Sequence, residues 1–193
     1  MMVESLGNYR ILGETLDDAS GEAFDKIAGF LELGYPGGPL IDSTAKKGNA
    51  SAIQFPRAMS KSGDYNFSLS GLKTAVINYV AKEKAAGRKI ILADLVASFQ
   101  AAVVDVLVSK TTGAAEANKV KKIVLAGGVA ANSSLRQKLS REAKKRGLEV
   151  YCPPLVLCTD NAAMIAAAGY WRYKKGERLA MDASPDPNLS LEN

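Results

Sequence analysis

Two stretches of this 193-residue chain place small and polar residues where ligand chemistry needs them. The first is Lys122-Ile-Val-Leu-Ala-Gly-Gly-Val-Ala-Ala-Asn132, followed by two serines. It reads as a strand, a tight loop and a helix N-terminus in succession. Gly127 and Gly128 let the backbone approach a ligand closely, and a helix N-terminus turns unpaired N–H groups toward an anion. The second stretch, Leu157-Cys-Thr-Asp-Asn-Ala-Ala-Met-Ile165, puts Asp160 and Asn161 at the start of an alanine-rich helix. Asp160 is there either a metal ligand or the N-cap, and spacing alone favours the cap. Together the two stretches predict a nucleotide site built from successive strand-to-helix turns. Upstream, Asp17, Asp18, Glu22 and Asp25 cluster near a turn. They suit a cation, a pair of ribose hydroxyls, or only the N-terminus of a helix. Tyr35-Pro-Gly-Gly-Pro39 is either a ligand-contacting loop or a plain turn.

Other chemistries are excluded by residue type. Histidine is absent, so serine–histidine and cysteine–histidine catalysis and histidine-ligated metals lie outside this chain's own means. Cys152 and Cys158 read as two reduced, largely buried thiols. Ser70-Gly-Leu-Lys-Thr74 departs from a phosphate loop, because the lysine does not directly follow the glycine and the upstream glycine is missing. Ser70 reads instead as a helix N-cap. The net charge of +5 is unevenly spread. Arg136, Lys138, Arg141, Lys144, Lys145 and Arg146 share one segment, and Arg172, Lys174, Lys175 and Arg178 close another. Such faces can meet nucleic-acid phosphates, but solvated helices with cations near their C-termini are the favoured reading. With 47% hydrophobic residues and no apolar run near a membrane span, the composition predicts a soluble, cytoplasmic, globular chain without a secretory leader.

The elements that must position these residues follow from periodicity and breakers. Residues 9–16 read as a strand, and 20–31 as a helix with Phe24, Ile27 and Leu31 on one face. Residues 35–39 read as a turn, with a short helix over 42–48 and irregular chain over 53–69. Residues 72–86 and a helix capped by Asp94 come next, the latter with Leu95, Phe99, Val103 and Val106 on its apolar face. Residues 122–126 predict a buried strand, and Leu135, Leu139 and Ala143 line a helix ended by Gly147. Residues 149–152 predict a second strand, and 160–173 a last helix rich in alanine for close packing. Helix, strand, helix, strand, helix predicts a parallel α/β core.

Five of these segments, in order and at matching spacing, carry a resemblance to one family. They are Asp17-Asp-Ala-Ser-Gly-Glu-Ala-Phe-Asp-Lys26, Tyr35-Pro-Gly-Gly-Pro39, Phe67-Ser-Leu-Ser-Gly-Leu-Lys-Thr74, Ala126-Gly-Gly-Val-Ala-Ala-Asn132 and Cys158-Thr-Asp-Asn-Ala-Ala-Met-Ile165. Together they resemble the C-terminal half of the tRNA adenosine threonylcarbamoyltransferase (TsaD) family, once described as glycoproteases. The resemblance implies an α/β fold, the C-terminal lobe of the actin/hexokinase/Hsp70-like (ASKHA) architecture with a mostly helical insertion. It divides the chain into a leading core strand (1–17), the insertion with its substrate loops (18–93), the nucleotide-binding α/β lobe (94–180) and a surface tail (181–193). It implies transfer of threonylcarbamoyl from threonylcarbamoyl-adenylate to the exocyclic nitrogen of the adenosine beside the anticodon. Asp25, Gly38 and Asp42 would contact the adenylate ribose and its neighbours; Gly127, Gly128 and Asn132 would hold the nucleotide. Asp160 would ligate one divalent metal, iron or zinc, which reverses the preference that spacing gave. The implied partners are tRNA, TsaB-like and other tRNA-modification proteins, and no membrane.

One departure shapes the expectation. The family's histidine pair and its Ser-Gly-Gly-His substrate loop belong to an N-terminal lobe that this sequence does not contain. The metal site therefore keeps one family ligand and the chain alone is expected to be inactive. The face left by the missing lobe would be apolar and would favour a homodimer. A non-catalytic interaction module is the alternative reading, and a metalloprotease ranks last, because neither a nucleophile–base pair nor a His-x-x-x-His metal motif is present.

Overall fold

The computed structural model describes residues 1–186 and residue 189. The chain opens with a hairpin, β1 (Met2–Ser5) and β2 (Asn8–Arg10), paired antiparallel with Met2 opposite Arg10. The strand expected over 9–16 is thus shorter. Beyond Arg10, Thr15 bridges Phe67, with the Leu16 N–H on the Phe67 carbonyl at 2.9 Å and the Phe67 N–H on the Glu14 carbonyl at 3.0 Å.

Helix α1 (Ser20–Phe30) buries Ala23, Phe24, Ile27 and Ala28 in one stripe, as its spacing predicts. Helix α2 (Gly37–Ala45) corrects the expectation of a turn over 35–39 and a helix over 42–48. Pro36 is the N-cap and Pro39 sits in the first turn, where an absent N–H breaks no helical bond. Gly37 packs directly on α1: a Cβ there would lie 2.7 Å from the Asp25 Cα and 2.8 Å from the Phe24 carbonyl oxygen. Helix α3 (Ser70–Ala85) follows the irregular segment, and α4 (Leu92–Ala117) runs 26 residues through the centre. Asp94 does not cap α4; Ile91 holds that place, and Asp94 Oδ1 accepts the Asn49 N–H at 2.7 Å.

Contrary to the sequence expectation, α4 is long and apolar enough to cross a membrane by length and composition. Its apolar window is 61% buried within the fold, because α4 serves two cores. Leu95, Val96, Phe99 and Val103 face α1, α2 and α3, with Phe99 edge-on to Phe24 at 5.6 Å. Val104, Val108 and Ala115 face the second core.

That second core is a strand–helix–strand unit. β3 (Lys122–Val124) and β4 (Glu149–Tyr151) pair in parallel, joined by α5 (Ser133–Lys145), whose Leu135, Leu139 and Ala143 are buried as predicted. Arg146 is the C-cap of α5, with Gly147 immediately beyond. Two expectations fail here. β3 buries only Ile123, while Val124 is 72% exposed. The last helix, α6 (Ala162–Lys174), buries no residue at all. The reason is shared: among the described residues this sheet has two strands, and no element lies over its outer face. Of the surface tail expected over 181–193, residues 187, 188 and 190–193 lie outside the described residues.

Candidate functional site

The acidic cluster resolves into local tasks. Asp17 caps α3 in place of Ser70: its Oδ1 accepts the Leu69 and Ser70 N–H groups at 2.8 and 3.2 Å. Its Oδ2 accepts the hydroxyls of Ser68 and Ser70. Desolvation pushes this carboxyl up, but the Ser68 and Ser70 hydroxyls and the two backbone N–H groups outweigh it and hold it well below the usual range. Asp18 bonds Lys26 at 2.6 Å and Lys73 at 3.0 Å, and those two ammonium groups lower its carboxyl in turn. Glu22 accepts the Ala19 N–H at 3.3 Å and pairs with Lys26 at 2.7 Å. Asp17 and Asp18 therefore staple the start of α1 to α3, while Glu22 acts within α1.

Asp25 belongs elsewhere. Its Oδ1 accepts the Gly37 N–H at 2.7 Å, which fixes the start of α2 against α1. Gly38 follows in the same helical turn, and a Cβ there would meet nothing within 4 Å. One turn on, Asp42 accepts the Ser133 hydroxyl at 2.8 Å and pairs with Lys46 at 3.1 Å. Ser133 opens α5. This bond ties α2 to the start of α5 across 91 residues of sequence.

The glycine turn itself is strand, 3-10 turn (Gly128–Ala131), helix. Gly127 has φ +85°, a left-handed conformation that side chains resist, and Cβ atoms at Gly127 and Gly128 would point into open space. Asn132 is the N-cap of α5, its Oδ1 accepting the Leu135 N–H at 2.9 Å. Its Nδ2 donates to Gln100 Oε1 at 2.9 Å, and the residue is only 7% exposed. Its side chain serves the shape of the turn. A cleft of about 330 Å³ runs beside the turn, lined among others by Ala19, Gly21, Leu107, Thr111, Gly127 and Gly128. The sequence reading missed Ser133, Gln100 and the Ala19–Gly21 wall. Only Gln100 left a signal, as a polar residue within the apolar run of α4.

The second turn follows β4 through Pro153 and a 3-10 turn over Leu155–Leu157. Asn161, not Asp160, caps α6, accepting the Met164 N–H at 2.9 Å. Asp160 is exposed. Cys158 is buried as expected; Cys152 is half-buried.

The basic segments are largely absorbed by intramolecular partners. Lys138 and Arg57 both bond Asp105, Arg146 pairs with Glu116 at 2.9 Å, and Lys145 with Glu142 at 2.9 Å. On the last helix, Lys175 donates to the Leu6 carbonyl at 2.7 Å and the Arg178 guanidinium lies 3.8 Å from the Tyr173 ring centre.

The donor chemistry does not make a metal site among the described residues. Among the described residues no three His, Cys, Asp or Glu side chains converge, and a lone exposed carboxylate at Asp160 gives a divalent ion too few ligands.

A parallel strand–helix–strand unit with a glycine turn at a helix N-terminus defines an α/β lobe. Comparison with known proteins makes the class specific. The family model described as "TsaD: tRNA N6-adenosine threonylcarbamoyltransferase" matches residues 1–167. A Clostridium botulinum protein of that name is 54% identical over 189 residues, 98% of this chain and 56% of the relative. Similar proteins of the same name in Clostridioides difficile and Clostridium perfringens are 50% and 51% identical over the same shares. This chain belongs to the TsaD family, and it spans about half the length of the curated relatives it matches. Among solved structures, Thermococcus HypF ("Crystal structure of T.kodakarensis HypF") shares the fold with TM-score 0.60 at 22% identity, over 82% of this chain and 20% of that one.

Proposed function

We propose that this chain is the adenylate-holding half of a tRNA N6-adenosine threonylcarbamoyltransferase. The observation that supports the reading is the Asp42–Ser133 bond, which ties Asp42 on α2 to the residue that follows the Gly127–Asn132 turn. In the reaction the exocyclic adenosine nitrogen attacks the carbonyl of the threonylcarbamoyl–phosphate anhydride. The carbonyl carbon–oxygen bond to phosphate breaks, AMP leaves, and the nitrogen loses a proton. Such a transfer needs positioning and neutralisation of the phosphate.

This chain's part is to hold the nucleotide. The open N-terminal turns of α2 and α5 offer backbone N–H groups to the phosphate. Asp25 keeps its second carboxylate oxygen for a ribose hydroxyl, and Asp42 reinforces that side. Gly38, Gly127 and Gly128 leave the space, and Asn132 holds the turn's shape. Asp160 would be one ligand of a divalent ion, iron or zinc, whose remaining donors are not found among the described residues. The lobe would be of the ASKHA type, divided at residues 17, 93 and 180, with tRNA as acceptor, a TsaB-like protein as partner and the cytoplasm as its setting.

Calorimetric titration of the whole chain with ATP or AMP tests this. Gly38→Leu and Gly128→Leu extend into open space in the ligand-free fold, so they should abolish binding without changing the melting temperature. Binding that survives both substitutions refutes the assignment.

A second reading has its own observation. Leu155, Val156, Ile165, Tyr170 and Trp171 are exposed on adjoining segments, an apolar surface of the kind that marks interaction sites. A non-catalytic role through this surface predicts a mass that rises with concentration in ultracentrifugation. A strict monomer at high concentration removes it.

A further inference from the structure

Arg136 lies in the first turn of α5, where the positive end of the helix dipole disfavours a cation. The sequence places it on a basic helix face, yet the structure turns its guanidinium inward. Nε donates to the Ala130 carbonyl, and Nη2 donates to the Pro153 carbonyl at 2.9 Å and to Cys158 Sγ at 3.0 Å. These acceptors belong to two different turns. Ala130 lies in the 3-10 turn after β3, whereas Pro153 and Cys158 bracket the segment after β4.

That second segment has little other anchorage. Leu155, Val156 and Leu157 are exposed, and Cys158 is its one buried side chain, 3% exposed. Its backbone bonds are local, from the Leu157 and Cys158 N–H groups to the Pro154 and Leu155 carbonyls. Among the described residues, the hydrogen bonds that tie it to the first turn, apart from the β3–β4 pairing and the Leu125–Tyr151 bond that extends it, are those of Arg136.

We propose that Arg136 is a positioning residue that braces the second strand-to-helix turn, and with it Asp160, against the Gly127–Asn132 turn. Its planar fork presents several donors at fixed spacing, so one side chain reaches acceptors on both turns. A lysine ammonium is a single point of charge and reaches one of them. The functional consequence rests on the glycine turn being the nucleotide seat: a ligand bound there is then felt at residues 157–164. The brace itself is measurable without any ligand.

Hydrogen exchange on the whole chain, wild type against Arg136→Met and Arg136→Lys, with and without ATP, tests the proposal. Without ligand, Arg136→Met should speed exchange at Leu157, Cys158 and Met164 by about tenfold or more while α1 and α3 keep wild-type rates. Arg136→Lys should stay close to Arg136→Met. With ATP, protection should appear at both turns in the wild type and at the first turn alone in Arg136→Met. Unchanged exchange at residues 157–164, a uniform rise across the chain, or full recovery with lysine would each overturn the brace. A wild-type chain that ATP protects nowhere would sink the nucleotide reading instead, leaving the brace to be judged by the ligand-free rates.

Discussion

The two strand-to-helix turns are built on one local plan and meet different ends. In each, a parallel strand leads through a 3-10 turn to an asparagine whose Oδ1 accepts an N–H three residues on, at 2.9 Å in both cases. Asn132 is buried, bonded to Gln100 on α4 and followed by a serine bonded to Asp42 on α2. Asn161 is followed by a helix that buries nothing. A cap is therefore a local device, and tertiary contacts decide whether it becomes part of a site. The first turn is welded to the helical core; the second is held chiefly by Arg136.

Substitutions that contrast the two regions test this directly. The largest effect should come from the core under the first turn: Phe99→Ala should cost about 3–5 kcal/mol in urea unfolding. Trp171→Ala on α6, half-exposed at 50%, should stay within about 0.5 kcal/mol. Equal losses would mean that α6 is packed after all.

Gly37→Ala should cost about 1–3 kcal/mol, because the new methyl meets backbone of α1. Gly38→Ala, one residue on, should leave stability unchanged or slightly raised while weakening adenine-nucleotide binding. A stable, tightly packed Gly37→Ala protein would show that α1 and α2 are not as close as described.

Asn132→Ala should lose about 1–3 kcal/mol, since it removes a cap and strands the buried Gln100 amide. Asn161→Ala should lose about 1 kcal/mol or less, the worth of an exposed cap. Thermal melts of the pair rank them, and the reverse order would break the comparison.

The smallest effect is the dependence on pH. Asp17 and Asp18 are held below the ordinary carboxylate range, so the folded state gives up their protons more readily than the unfolded state does. Their stabilisation is complete above about pH 4 and is lost as pH falls through the lowered folded values. Asp17→Asn should flatten the acid limb of the stability curve below about pH 4, and an unchanged limb would show that this cap contributes nothing.

Much of the fold was legible because helical stripes and breakers are local. Phe24 and Ile27 on α1, Leu135, Leu139 and Ala143 on α5, and the parallel pairing of two strands joined by a helix all follow from spacing. The errors share a cause. Pro36 and Gly37 looked like a turn but start α2, since proline tolerates a helix entry and the glycine lets α1 approach. Ser70 and Asp94 looked like caps, but the α3 cap arrives from Asp17, 52 residues upstream of Leu69.

The sequence by itself determined the family, the helix–strand alternation of the second half and the residue types at each turn, because these rest on local pattern and on motifs at matching spacing. Only the tertiary structure decided that Asp42 meets Ser133, that Asn132 faces Gln100, that Arg136 turns inward and that α6 lies uncovered. Those outcomes depend on which distant groups satisfy each buried donor and acceptor, and hydrogen-bond partners far apart in sequence leave no periodic trace along the chain.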